Sequence, residues 1–371
     1  MDLPLHGGPA PQWLVQRMKR LGKAISDVVV DQYGQEELLR RLSNPDWFQA
    51  LSCVLAFDWH SSGTTTVLCG VLKEVLDPQE HGIAAVGGKG ARSREAPREI
   101  SGLGEAFSFG SSKVEALARA SKLSAKVDGA LLQDGYNLYH HTMFISESGD
   151  WAVVQQGMDP ESRTARRYHW LSWGVKEFVE EPHSGIACNE KKDRVLNLTS
   201  VASRGCRDKS LDLALGGKDQ LLDDMAKLRV GPQRTLMEWA SPGIPVAKAL
   251  PSRIDWTVMK RVYDFKPSNY EEFILVRGVG PSTVRALALV SDLVYGQPPD
   301  WEDPIKYSYC LGGKDGVPYP VDRASYDESV QILDGAIKEA KLGDSERLGA
   351  LRRLKELIPV EVQRSVRPWL R

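Results

Sequence analysis

The 371-residue sequence predicts an α/β N-terminal domain with a mixed sheet, followed by an all-α domain. Three observations carry this expectation. Residues 50–57 (ALSCVLAF) form a short, nearly continuous apolar run, the mark of a strand buried on both faces. Residues 133–146, 151–157 and 165–171 read as a turn leading into a strand and then two more strands, separated by turn residues. Beyond a polar stretch at 195–250, broken by Gly216-Gly217, Gly231-Pro232 and Pro242-Gly243, apolar residues recur at helical spacing. The boundary falls there, giving domains 1–235 and 236–371.

With 48 Lys and Arg against 49 Asp and Glu, the chain is no generic polycation, and any nucleic-acid binding must come from local patches. Charge does segregate: residues 86–126 hold eight basic and four acidic side chains, residues 127–200 seven and eleven. A basic stretch abutting an acidic one suits a site that holds a polyanion and a metal together, although solvated helix faces give similar counts. The five cysteines are dispersed, with no C-x-x-C pairing, as in a reduced cytoplasmic protein. The first six residues lack a signal peptide's basic start and apolar core, and no apolar run approaches the roughly 18 residues of a membrane span. The expected location is therefore cytoplasmic.

In chain order, a turn-rich lead-in precedes an amphipathic helix over 13–24. Trp13, Leu14, Met18, Leu21 and Ile25 face a core, while Arg17, Lys19, Arg20 and Lys23 stay in water. A second helix follows near 35–42. The run at 50–57 ends in Asp58-Trp59-His60-Ser61-Ser62-Gly63 and three threonines, before a helix near 67–76. A carboxylate, an imidazole and a hydroxyl-rich glycine turn at the carboxyl end of a buried strand lie where open α/β sheets place ligands. The same residues could also do no more than cap the helix. Residues 82–94 repeat the arrangement as a small apolar strand and a glycine loop carrying Lys89, Arg92 and Arg94. That loop lacks the Walker spacing, so it reads either as a basic loop closing on a phosphate or as a solvated loop. Helices are expected over 97–107 and 112–130.

Four of the seven histidines (His140, His141, His169, His183) fall within 44 residues, near Asp128, Asp134 and Glu180. Strand alternation places His140 and His141 on opposite faces, and likewise Gln155 and Gln156, so at most one of each pair enters a shared site. His with Asp or Glu is a ligand set for Mg²⁺, Mn²⁺ or Zn²⁺. No H-E-x-x-H, G-x-S-x-G or nucleophilic cysteine setting is present. Further helices are expected near 255–263, 271–275, from the following glycine turn to 295, and over 326–342 and 345–358.

The most organised stretch is residues 275–289 (LVRGVGPSTVRALAL). An apolar helix end runs into Gly278-Val279-Gly280, where glycines permit backbone angles forbidden to other residues and Val279 is an apolar plug. Pro281 suits the first turn of the next helix. The stretch resembles the helix-hairpin-helix of repair nucleases, glycosylases and ligases, whose free amides at a helix N-terminus hold a DNA backbone without reading sequence. A tight structural connection is the alternative. The DNA contacts expected are Gly278, Gly280, Ser282, Thr283 and Arg285.

Several stretches together resemble an archaeal and bacterial domain family of unknown function. They are Leu5-His6-Gly7-Gly8, Asp58-Trp59-His60-Ser61-Ser62-Gly63, Gly87-Gly88-Lys89-Gly90, QDGYNLYHH from Gln133, VVQQGM from Val153, RRYHWLS from Arg166 and Gly312-Gly313-Lys314-Asp315-Gly316. The resemblance covers nearly the whole chain. It implies a free-standing protein in a DNA-linked setting and carries over no catalytic residues. The function expected is that of a metal-dependent DNA nuclease in repair or processing. Its catalytic candidates are Asp58, His60, Lys89, Asp134, His140 and Gln155, with Asp58, Asp134 and His140 as ligands of Mg²⁺ or Mn²⁺. The competing functions are a DNA-binding accessory factor without catalysis and a base-excision glycosylase. The latter lacks its usual lysine, since Ser282 and Thr283 follow the hairpin.

Overall fold

The computed structural model describes residues 11–56, 62–188, 191–230, 255–305 and 323–357. Helix α1 (Gln12–Leu42) is interrupted at Gly34, whose φ of 84° and ψ of 172° separate the two expected helices. Met18, Leu21 and Ile25 are buried as the periodicity requires, but Trp13 is 63% exposed, with the Arg17 guanidinium 5.5 Å from its ring centroid.

The apolar run expected as a strand is instead helical: α2 spans Pro45–Val54. The Asn44 side chain accepts from the amides of Asp46 and Trp47, and Pro45 sits where its missing N–H costs nothing. An eight-residue apolar run fits a buried helix as well as a buried strand, and this cap decides the matter. Next come α3 (Gly63–Val75), α4 (Pro78–His81), β1 (Ile83–Lys89), a 3₁₀ turn (Gly90–Glu95), α5 (Ala96–Ala106), α6 (Ser111–Lys126) and a π-turn (Val127–Leu131). The strands that follow are β2 (Leu132–Gln133), β3 (Asn137–Ser146), β4 (Trp151–Asp159), β5 (Thr164–Leu171), β6 (His183–Ala187) and β7 (Leu196–Asn197). The remaining described helices are α7 (Arg204–Leu215), α8 (Lys218–Val230), α9 (Trp256–Phe265), α10 (Tyr270–Leu275), α11 (Pro281–Tyr295), α12 (Arg323–Glu339) and α13 (Asp344–Leu357).

The main sheet has the order β1-β3-β4-β5-β6, and every pairing is antiparallel. The expected mixed sheet is thus corrected: with residues 50–54 helical, no parallel strand is left among the described residues. β2 and β7 form a separate two-stranded ribbon. Helices cover both faces of the main sheet. Val86, Met143, Val153 and Trp170 point into a core shared with α5, α6, α7, α9, α10 and α11. Ala85, Phe144, Ala152 and Val154 point into a second core built with α1, α2, α3, α12 and α13. Helices from residues 256–295 therefore bury their apolar stripes against the same core as the sheet. The boundary expected at 235/236 lies outside the described residues. Among those that are described, no helix is long and apolar enough to cross a membrane.

One glycine sets how closely β1 approaches β3. Gly87 has a φ of 89°, and a Cβ there would lie 2.3 Å from the His141 carbonyl oxygen. Its amide donates to Glu99 and its carbonyl accepts from Lys73, each through a single short bond of 2.7 and 2.8 Å. Gly87→Ala is expected to cost about 2 kcal/mol or more in urea unfolding, because backbone strain and overlap with a main-chain atom add together. A loss below about 0.5 kcal/mol would show that the strand edge can shift without cost.

Candidate functional site

The alternation of the strands sorts the polar residues onto two faces. Lys89, His140, Gln156 and Arg167 lie opposite one another across β1, β3, β4 and β5 and form a single polar row. The row lies on the face packed against α1–α3. Gln156 is fully buried: its amide donates to the Ser62 carbonyl at 2.8 Å and to the Tyr139 hydroxyl, and its oxygen accepts from the Thr65 hydroxyl. Tyr139 sits at the irregularity between Leu138 and His140, where the β3–β4 register shifts. Arg167 donates to the Gln49 side chain at 3.3 Å and the Pro45 carbonyl at 3.2 Å, with its guanidinium 4.6 Å from the Phe48 ring centroid. Lys89 is exposed at the strand end.

His140 is the unusual member of the row. It is 2% exposed, its Nε2 lies 3.0 Å from the Thr142 hydroxyl, and its Nδ1 has no hydrogen-bond partner among the described residues. Burial, together with neighbouring His141 and Lys89, lowers its pKa to about 3. The imidazole is therefore neutral at physiological pH, the form that ligates a metal or accepts a proton. On β5, His169 donates from Nδ1 to the Leu42 carbonyl at 2.9 Å, while its Nε2 is also without a partner among the described residues. Asp58 and His60 lie outside the described residues; they precede Ser62, which closes over Gln156.

The opposite face carries a separate, enclosed network. Ser121 Oγ lies 2.9 Å from His141 Nε2, and His141 Nδ1 lies 3.0 Å from Gln155 Oε1. The Gln155 amide donates to Asp128, which also accepts from the Trp170 indole at 3.1 Å and pairs with His183. The π-turn at Val127–Leu131 presents Asp128 to these groups. Ser121 stands beside His141 as a nucleophile stands beside its base, but both His141 ring nitrogens are taken, by Ser121 and by Gln155, whereas His140 on the other face keeps Nδ1 without a partner among the described residues. Asp134 belongs to this face too. It accepts from Arg166 Nη1 at 3.0 Å, the Tyr168 hydroxyl at 2.7 Å and the Tyr136 amide at 3.0 Å, and Arg166 also holds Asp303 at 2.7 Å. Burial pushes the Asp134 carboxyl up, against the pull of Arg166 and Tyr168.

The six catalytic candidates therefore do not form one constellation. His140 and Lys89 share the polar row; Gln155 and Asp134 lie across the sheet from them and are committed to buried partners. In the row itself stands Gln156, with Arg167, Thr65 and Tyr139 nearby. The tandem Arg166-Arg167 inside an otherwise strand-like run is the sequence signal for these positions, since a buried strand arginine requires a partner on each face. The acidic group Asp27, Glu80 and His81 could bring ligand atoms within 4.8 Å of one another. The Lys23 ammonium, 3.0 Å from Asp27 and 2.6 Å from Glu80, already supplies positive charge there.

The glycine turn joins α10 to α11 on the face of the Asp128 and Asp134 network, across the sheet from the polar row, and Gln133 beside Asp134 donates to the Pro281 carbonyl at 2.9 Å. Gly278 has a φ of 100°, and a Cβ on it would meet the Val258 side chain at 2.6 Å. Gly280, by contrast, is extended at φ −150°, a conformation open to any residue. Val279 is buried at 1%, and its carbonyl accepts from Lys126 at 2.5 Å. Among the described residues, the amides of Gly278, Gly280, Ser282 and Thr283 find no acceptor. Gly278 and Ser282 are exposed, as is Arg277, whereas Thr283 is buried and Arg285 turns inward to Gln133 at 2.6 Å.

These features define an antiparallel sheet between two helical layers, with a glycine turn on one of the covering helix pairs. A family model described as Protein of unknown function (DUF763) matches residues 1–321, and the chain belongs to that family. No curated protein and no solved structure matches it.

Proposed function

We propose that the protein processes DNA, holding the phosphate backbone at the glycine turn before α11 and carrying out phosphodiester chemistry at the polar row. The turn carries the proposal. The amides of exposed Gly278 and Ser282, without acceptors among the described residues at the start of a 15-residue helix, with exposed Arg277 beside them, are the donors a phosphate needs. In the row, neutral His140, with Asp58 as the second ligand, would hold Mg²⁺ or Mn²⁺, and Lys89 would neutralise charge on the scissile phosphate. Asp134 has no part in this site, being taken by Arg166.

Ser282→Glu tests the grip. The position is exposed in the first turn of α11, where a carboxylate favours the helix and repels phosphate. Fluorescence anisotropy with labelled DNA is expected to show binding at least about tenfold weaker and less dependent on salt. Unchanged affinity would mean that DNA does not reach the turn. Metal-dependent cutting that disappears in EDTA and in His140→Ala supports the nuclease. One observation favours a non-catalytic accessory factor: among the described residues, no carboxylate joins the polar row. Binding that leaves DNA intact with either metal would decide for it.

A further inference from the structure

A cleft of about 850 Å³ opens between the Gly216-Gly217 turn, the start of α8 and the outer side of α9. Its size is that of a small-ligand pocket. Trp256 and Tyr263 line it together with Lys218, Lys260 and Arg261, against the carboxylates of Asp219 and Asp264, so cations outnumber anions on its walls. Tyr263 is 49% exposed, an aromatic face left open to solvent, and Lys218 Nζ lies 5.7 Å from the Trp256 ring centroid. At Gly217, φ is 93° and the nearest neighbour a Cβ would meet is Tyr263 Cε2 at 4.0 Å, so the turn leaves the ring's surroundings clear.

Arg261 links this cleft to the glycine turn. Its Nη1 donates to the Arg277 carbonyl at 2.5 Å, and Val258, one helical turn before Val262 on α9, is the residue against which Gly278 packs. Arg261 thus both lines the cleft and touches the chain at the glycine turn.

We propose that the cleft receives an unpaired nucleobase of the DNA held at the turn, so that the preferred ligand is DNA with a single-stranded arm. The inference rests on the DNA-binding reading of the glycine turn. Bases stack on aromatic rings irrespective of sequence, and cations along the same wall follow the backbone. A base within a duplex would first have to leave its stack, at a cost that an unpaired base avoids.

The test compares a forked DNA with a blunt duplex of equal length, with 2-aminopurine in the fork's unpaired arm. The wild-type protein is expected to bind the fork about tenfold more tightly and to quench the 2-aminopurine. Tyr263→Ala should remove the preference and the quenching while leaving duplex affinity within about twofold, and Lys260→Glu, at an exposed position, should act in the same direction. Ser282→Glu should weaken both DNAs. Equal binding of fork and duplex by the wild type, or equal weakening of both by Tyr263→Ala, overturns the cleft while leaving the grip in place. Binding of neither DNA overturns the grip and the cleft together.

Discussion

Arg166→Met is expected to lower unfolding free energy by about 3–5 kcal/mol, the cost of breaking a buried ion pair from one side. The Arg166 side chain is 0% exposed, and the side chains of Asp134 and Asp303 are 1% and 0% exposed. Burial opposes the charged guanidinium, but Asp134 and the other acidic neighbours more than compensate, so its pKa stands well above the ordinary value. Methionine would fill most of the volume and leave two desolvated carboxyls facing each other. Asp303 belongs to the stretch after α11, and it also accepts from the Lys192 amide at 2.8 Å. Loss of Arg166 should therefore loosen the seam between β5 and the chain that follows α11. Urea denaturation would measure the effect, and adding Asp134→Asn and Asp303→Asn should restore part of it. A loss under about 1 kcal/mol would place the pair in the class of surface bridges.

The second large effect is expected with acid. His140, His141 and His169 are buried, and burial lowers all three pKa values: His140 to about 3, His169 well below the ordinary value. The unfolded chain takes up protons near pH 6.5, whereas the native one does not. Stability is therefore fully present above about pH 6.5 and is lost as pH falls toward the folded values. His140 and His169 each contribute a slope approaching about 1.4 kcal/mol per pH unit inside that window, so the two together should remove roughly 2.5 kcal/mol between pH 6 and pH 5, with His141 acting in the same direction. Ordinary carboxylates titrate below this interval, while Asp134 and Asp292, whose carboxyls burial raises, act in the opposite sense, so the difference between wild type and a histidine variant isolates that histidine. Denaturation midpoints at pH 7, 6 and 5 would show the slope, and His140→Gln should reduce it by about one proton. A stability that is flat from pH 7 to pH 5 would contradict the buried neutral state.

The strands around the histidines are legible in the sequence because their alternation and turn residues are local signals. The helix over Pro45–Val54 is harder to see, although Asn44-Pro45 is a helix-start signature, because an apolar run without polar interruption has no period of its own. The antiparallel order of the sheet follows once that single element is helical. Alternation alone separates His140 from His141 and Gln155 from Gln156. It does not supply register: His140 stands opposite Gln156, so grouping His140 with Gln155 joins residues from two faces. Asp134 looks like a free ligand in the sequence because its arginine is 32 residues away. At the glycine turn the motif is plain, but which side chains face outward depends on the packing of Arg285 against Gln133, 152 residues apart.

The pairs His140-His141 and Gln155-Gln156 give the sheet a use as an instrument. Each neighbour has the same side-chain chemistry, the same strand and nearly the same burial, yet reports on a different compartment. A change at Gln156 perturbs the row beneath Ser62, while the identical change at Gln155 perturbs only the Asp128 network. The protein thus contains its own matched controls, one residue apart, for telling an effect on the polar row from an effect on the Asp128 network.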